Sequence, residues 1–290
     1  MKQRVLTYAS FVRFSHSVFA LPFALTGALL AVHRGFAEPG AAAIARRVLW
    51  IVVAMVAARS AAMGFNRLAD ARFDAANPRT SMRELPRGAM SMWEATLFVG
   101  VSAGVFVYGA SRLSTLCLAL APVALGIVFW YSLAKRVTSY TQFFLGLAMA
   151  VAPVGGWIAA GGRQGIEPWL LGLAIGLWVG GFDILYACQD VEVDLRQGLR
   201  SIPTRFGVGP AIRLSRIMHV ATIAAMAALW QAADLPVSYL AGVAIVAALL
   251  AYEQSLVSER DLSQVKRAFD LNGYVGIIYF VATALSLYLG

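Results

Sequence analysis

Apolar stretches long enough to cross a bilayer recur along this whole 290-residue chain, and that recurrence leaves few folds open to it. A hydrocarbon core of about 30 Å takes about 20 helical residues. Nine such runs are legible, at about 12–32, 46–66, 92–110, 113–132, 141–161, 168–187, 213–231, 236–253 and 272–289. With 60% hydrophobic and only 13% charged residues, a soluble fold is excluded. The expectation is an all-α integral membrane protein, one polytopic domain over residues 1–290. The basic, then apolar N-terminus runs into a full-length span with no small-residue cleavage site behind it, so it reads as the first helix rather than a signal peptide. Cys117 and Cys188 both fall in or beside apolar runs, which indicates packing residues and no disulfide framework.

The net charge of +9 could suggest nucleic acid, but topology accounts for it better. Of the 24 Lys and Arg residues, eighteen fall at the N-terminus and in the connections after even-numbered spans, and five in the opposite set; the remaining one, Arg59, lies inside a span. By the positive-inside rule this places the N-terminus and the even connections in the cytoplasm and the C-terminus outside, in an inner membrane. The rule does not account for carboxylates. Asp70, Asp74, Asp183, Asp190, Glu192 and Asp194 nevertheless crowd two helix ends on that same side.

The first group lies in RSAAMGFNRLADARFDAANPRTSMRELPRG, where Asn66, Asp70 and Asp74 stand at i, i+4 and i+8 and so share one helix face. The second lies in GFDILYACQDVEVDLRQGLRSIPTRFG, where Asp183, Asp190 and Asp194 are spaced seven and four apart, expected as a single stripe with Tyr186 beside it. Like charges one turn apart repel, more so near a bilayer, and need cations. Carboxylate and amide oxygens suit Mg²⁺, which is commonly completed by substrate phosphates, and the lack of His argues against zinc. A basic segment follows each group: Arg79, Thr80 and Arg83 after the first, Arg200, Ser201 and Arg205 after the second. This order reads as two diverged halves, about 1–135 and 136–290, whose acidic ends face each other across a metal-bound diphosphate. An isolated acid–arginine pair is most often an interfacial ion pair; two copies in the same order favour a shared ligand. Between them Tyr131 and Lys135, one turn apart, end another helix, with Lys135 placed to reach a phosphate as a point charge.

Together these residues resemble the UbiA family of intramembrane aromatic prenyltransferases. The family pattern N-x-x-x-D-x-x-x-D is met by Asn66, Asp70 and Asp74, and D-x-x-Y-x-x-x-D-x-x-x-D by Asp183, Tyr186, Asp190 and Asp194. Tyr131 and Lys135 meet Y-x-x-x-K, and an N-P-R-T continuation starts at Asn77. Arg67 follows Asn66 where many members carry Asp, which leaves the three motif positions intact. The resemblance implies a nine-helix bundle around a central cavity with a cytoplasmic-side active site and a lateral opening. It also implies Mg²⁺-dependent transfer of a chain from a polyprenyl diphosphate to an aromatic acceptor. On that reading Asn66, Asp70, Asp74, Asp190 and Asp194 hold metal, Arg72, Arg79, Tyr131, Lys135 and Arg200 bind diphosphate, and Asp183, Tyr186 and Asp190 serve catalysis.

The stretches around Arg13, His16 and Pro22, and from Ala58 to Leu68, look like the 4-hydroxybenzoate branch, some of whose relatives use 1,4-dihydroxy-6-naphthoate in the futalosine route to menaquinone. Both acceptors are aromatic acids. Arg59, seven residues before Asn66 and about two turns deeper, is the expected partner for such a carboxylate, with snorkelling or a backbone contact as its other role. Asp183 is the candidate base for the proton lost in ring substitution, or else a structural partner of Tyr186. His33 and His219 lack ligand spacing, and His16 beside Arg13 is a weaker contact candidate. Glu259–Asp270 is expected as a short amphipathic interfacial helix or a solvated connector. A transporter would carry its ionisable residues near the midplane rather than at helix ends.

Overall fold

The structure, a computed structural model, describes Phe11, residues 20–36 and residues 40–289. Arg13 and His16, with the start of the first expected span, lie outside the described residues. Eleven helices follow one another among the described residues: α1 Leu21–His33, α2 Ala41–Ala76, α3 Met92–Leu113, α4 Thr115–Ala134, α5 Thr141–Ala159, α6 Glu167–Ala187, α7 Val191–Arg196, α8 Ile202–Phe206, α9 Val208–Ala232, α10 Tyr239–Ser255 and α11 Val265–Leu289. Helices satisfy their own backbone groups, which is the requirement a hydrocarbon solvent imposes.

Seven of them, α2 to α6, α9 and α11, are long and apolar enough to cross a membrane, while α1 and α10 are shorter apolar helices of 13 and 17 residues. Among the described residues, then, seven full-length helices stand where nine spans were expected, and the first and eighth expected spans hold the two short ones. The segment 259–270 forms no helix of its own: Ser258 and Asp261 pair in a tight turn, and α11 starts at Val265 and runs on into the last span.

Helix α6 is the most enclosed of the seven, packed by α5 and α9 with α1 and α11 alongside. The main core joins Phe23, Trp157, Trp178, Tyr239 and Tyr279 from α1, α5, α6, α10 and α11. Small residues let these helices approach closely, as expected where packing rather than hydrophobicity drives association. A Cβ on Gly156 would fall 1.9 Å from the Ala24 carbonyl oxygen, and one on Gly27 would fall 2.0 Å from that of Pro153. On the other flank α2 packs along α3, where Ala54 meets Gly109.

Two smaller clusters support the acidic end. Met90 and Ala95, with Leu68 and Leu85, underlie the loop after α2, and a Ser91–Glu94 capping box starts α3 just beyond it. Ile184, Leu185, Ile202, Ile212 and Val265 underlie the segment after α6.

Candidate active site

At 36 residues α2 is about 54 Å long, roughly four turns more than a spanning segment needs. Those extra turns carry Asn66, Asp70 and Asp74 on one continuous helix, all three lining a polar cavity of about 310 Å³. Asp70 and Asp74 are 3% and 6% exposed, so each needs a partner. Lys135 Nζ donates to Asp70 Oδ2 at 2.7 Å, the Asn66 amide adds a bond at 3.3 Å, and the Arg83 guanidinium meets both oxygens of Asp74 at 2.7 and 2.8 Å.

The second acidic group differs from its expected single stripe. Helix α6 ends at Ala187, Asp190 occupies the N-cap of the six-residue α7, and Asp194 lies within α7. The break matters little to the outcome, because Asp183, Tyr186, Asp190 and Asp194 line the same cavity as the first group. Arg79 crosses from the loop after α2 to join them: Nε and Nη2 donate to the two oxygens of Asp190 at 3.2 and 2.5 Å, and Nη1 donates to the Tyr186 hydroxyl at 2.6 Å. Burial alone would lower the Arg79 guanidinium, but the nearby Asp190 and Tyr186 outweigh it and hold its pKa above the usual value. Asp194 has no such partner among the described residues; burial, and then the Asp190 carboxylate, push it up to about 6.

Tyr131 and Lys135 line the cavity from the end of α4. Arg200, expected on the diphosphate, lines the cavity too, and two of its donors brace that helix end: the backbone N–H donates to the Lys135 carbonyl and Nη1 to the Val137 carbonyl, each at 2.8 Å. Gly198, at φ +67°, makes the turn that brings Arg200 there. Arg72 is exposed and lines no part of the cavity, which removes it from the expected diphosphate set; two residues past Asp70 it points about 200° around the helix from the acidic face.

The buried atoms in this region without a hydrogen-bond partner include Arg59 Nε, Asp70 Oδ1 and Ser132 Oγ. Asp183 likewise has no hydrogen-bond partner among the described residues, and Tyr186, its expected alternative partner, is held by Arg79 instead. Among the described residues no three acidic, His or Cys groups stand close enough to form a ready metal cluster. Arg79, Arg83 and Lys135 hold three of the expected ligands apart as ion pairs.

Beyond the polar cavity lies a second, apolar one of about 620 Å³, and Arg59, Tyr131, Leu145 and Met149 line both. Sequence reading missed Gln142 and Ser132, which line the polar cavity, Gln197, whose side chain donates to the Phe73 carbonyl at 3.3 Å, and Arg136, which faces Asp70 Oδ1 at 3.7 Å. A polar residue next to a span carries no local signal of which cavity it will face. His219 is buried between the Trp178 carbonyl and Gln254, away from the site.

The model of the UbiA prenyltransferase family matches residues 20–282. The 4-hydroxybenzoate octaprenyltransferases of Citrobacter koseri and Vibrio cholerae are each 33% identical to the chain, over 82% and 83% of it and 83% and 85% of their own lengths. Among solved structures, the apo form of a UbiA homolog from Aeropyrum pernix superimposes with a TM-score of 0.84 at 32% identity, covering 93% of this chain and 97% of its own. A UbiA homolog from Archaeoglobus fulgidus bound to GPP and Mg²⁺ shares the fold, with a TM-score of 0.69 at 18% identity over 96% of this chain and 99% of its own.

Proposed function

Given that the chain belongs to the UbiA prenyltransferase family, we propose that it transfers a polyprenyl chain from its diphosphate to the ring of an aromatic carboxylic acid of the 4-hydroxybenzoate type. The observation that carries this reading is the shared wall: a cavity of acids and bases suited to a diphosphate opens past Arg59 and Tyr131 onto an apolar cavity suited to an isoprenoid tail.

The residues present fit Mg²⁺. The donors are hard oxygens, and Asp70 Oδ1 is buried without a hydrogen-bond partner, a state that a cation relieves. Asn66, Asp70, Asp74, Asp190 and Asp194 would hold the metal. When bound, it supplies positive charge to the diphosphate oxygens as the allylic C–O bond breaks. Arg79, Arg83 and Lys135, now paired with Asp190, Asp74 and Asp70, exchange those carboxylates for phosphate oxygens, so that acids and bases each gain a ligand of opposite charge. The apolar walls keep water from the allylic cation until the ring carbon attacks.

Arg59 receives the acceptor's carboxylate at the junction of the two cavities. Its buried, unpartnered Nε supports that role over snorkelling, because a snorkelling guanidinium is solvated. Asp183, a cavity carboxylate with no hydrogen-bond partner among the described residues, takes the ring or phenol proton, leaving the prenylated phenol and diphosphate. We assign the acidic end to the cytoplasmic face of the inner membrane from the distribution of Lys and Arg.

The test offers 4-hydroxybenzoate and 1,4-dihydroxy-6-naphthoate separately to purified protein with polyprenyl diphosphates, with and without Mg²⁺, and weighs the product. Mg²⁺-dependent prenylation of 4-hydroxybenzoate is expected. Product from the naphthoate alone would move the enzyme to the futalosine route, and uptake of an unchanged acid into vesicles without diphosphate release would make it a carrier.

A further inference from the structure

Two adjacent glycines on α5 have opposite surroundings. Gly156 is buried against the Ala24 backbone and admits no side chain. Gly155 lines the apolar cavity, and a Cβ built on it would have no atom within 4 Å. Since Gly155 is helical and φ-unrestricted, a side chain there meets no backbone strain and projects into open space.

The cavity runs far past this position. It lines α4 on every turn from Tyr131 back to Cys117, fourteen residues or about 21 Å, which is most of a hydrocarbon core. On α5 it runs from Leu145 and Met149, at the junction with the polar cavity, to Ala159 at the far end. Gly155 stands six to ten residues, or about 9–15 Å, from that junction. An isoprene unit is four carbon–carbon bonds long and spans about 4–5 Å, so Gly155 lies opposite roughly the second to fourth units of a tail whose diphosphate sits among the aspartates. The far part of the cavity is bounded by Leu120, Trp169 and Leu173, which are 40%, 63% and 54% exposed, an opening through which further units reach lipid.

Resting on the prenyl-transfer reading above, we propose that Gly155 is the specificity-determining position for donor length: the tail passes over the bare backbone of Gly155 and leaves beyond it, and the missing side chain is what admits more than about three isoprene units. A larger residue at 155 places carbon atoms in the path of the third and fourth units without touching the diphosphate, the acceptor or the helix packing at Gly156.

The series Gly155→Ala, Gly155→Leu and Gly155→Phe tests this, because the smaller members keep the question open if the largest fails to fold. Two readouts are taken with Mg²⁺: the ratio of kcat/KM for a C20 donor to that for a C10 donor, and the ratio of Kd values for the corresponding non-reactive thiodiphosphates, which needs no acceptor. Both ratios are expected to shift against the C20 chain with side-chain size, reaching at least about tenfold at Phe. Equal effects on the two lengths, or no effect, would overturn the proposal and show that the tail leaves earlier, past Phe143 and Leu147. If no acceptor is prenylated by the unaltered protein yet the binding ratio still shifts, the channel stands and the reaction assigned above falls. If neither thiodiphosphate binds, both fall.

Discussion

The two acidic segments have similar sequences and different constructions. The first is three turns of an unbroken 36-residue helix, with Asp70 and Asp74 nearly inaccessible and matched by Lys135 and Arg83. In the second, Asp183 lies near the end of a spanning helix, the chain breaks, and Asp190 precedes and Asp194 rides on the six residues of α7, where no residue is fully buried. A long packed helix fixes its ligands; a short one adjusts to what the first holds. The first row thus acts as the template and the second as its adaptable counterpart, linked by Arg79 and by Gln197.

The largest effect separates the rows. Asp70→Asn and Asp74→Asn are expected to lower kcat/KM by about 10³, at the upper end of what removal of one preorganised electrostatic group costs, and Asp194→Asn by only about 10² or less. Steady-state kinetics at saturating Mg²⁺ decides it: a second-row loss as large as the first would make the two rows equivalent and end the comparison.

The first row was legible in the sequence because helical spacing and helical structure agreed over Asn66, Asp70 and Asp74. The second was legible in membership but not in form. Its i, i+7, i+11 spacing fits a helix face, yet the chain turns at Cys188–Asp190, and convergence on one cavity came from tertiary packing. Arg72 illustrates the limit on the first row, since proximity in sequence to two aspartates says nothing of its side of the helix. Arg200 illustrates it on the second, since a basic residue after an acidic motif serves equally as a ligand or as a brace. Seven spans were legible from apolar run length, whereas α1 and α10 have only 13 and 17 residues among those described.

The next effect tests what lies between the rows. Arg59→Ala is expected to raise KM for the aromatic acid by about tenfold or more, the scale of one charge-assisted hydrogen bond, while KM for the donor stays within about twofold. Equal changes in both would reassign Arg59 from the acceptor to the shared wall.

A smaller effect follows from Asp194, an acid without an ion pair among the described residues. Its pKa of about 6 in the folded protein lies above the ordinary carboxylate value of 3.8, so the folded state binds a proton that the unfolded state has released. The stability this contributes is full below pH 3.8 and lost as pH rises toward about 6, whereas Mg²⁺ needs the ionised form. Mg²⁺ affinity measured by calorimetry is therefore expected to rise severalfold from pH 5.5 to 7 and to level off, and Asp194→Asn to flatten that rise. An unchanged slope in the variant would assign the proton to another group.

The smallest effect concerns the brace. Arg200 gives two hydrogen bonds to the turn that ends α4, and that turn carries Lys135, the partner of Asp70, so a residue from the second half positions a base against the first row. Arg200→Ala removes the side-chain bond to Val137 and keeps the backbone bond to Lys135. A loss of two- to fivefold in kcat/KM is expected, the scale of one partly exposed hydrogen bond. If Arg200 acts only through Lys135, then in Lys135→Ala protein, where no base is left to position, Arg200→Ala has no further effect. A double-mutant cycle measures that coupling directly. Additive losses would mean that Arg200 touches the diphosphate itself, and the second row would then supply a phosphate ligand of its own, the role we propose for Arg79 and Arg83.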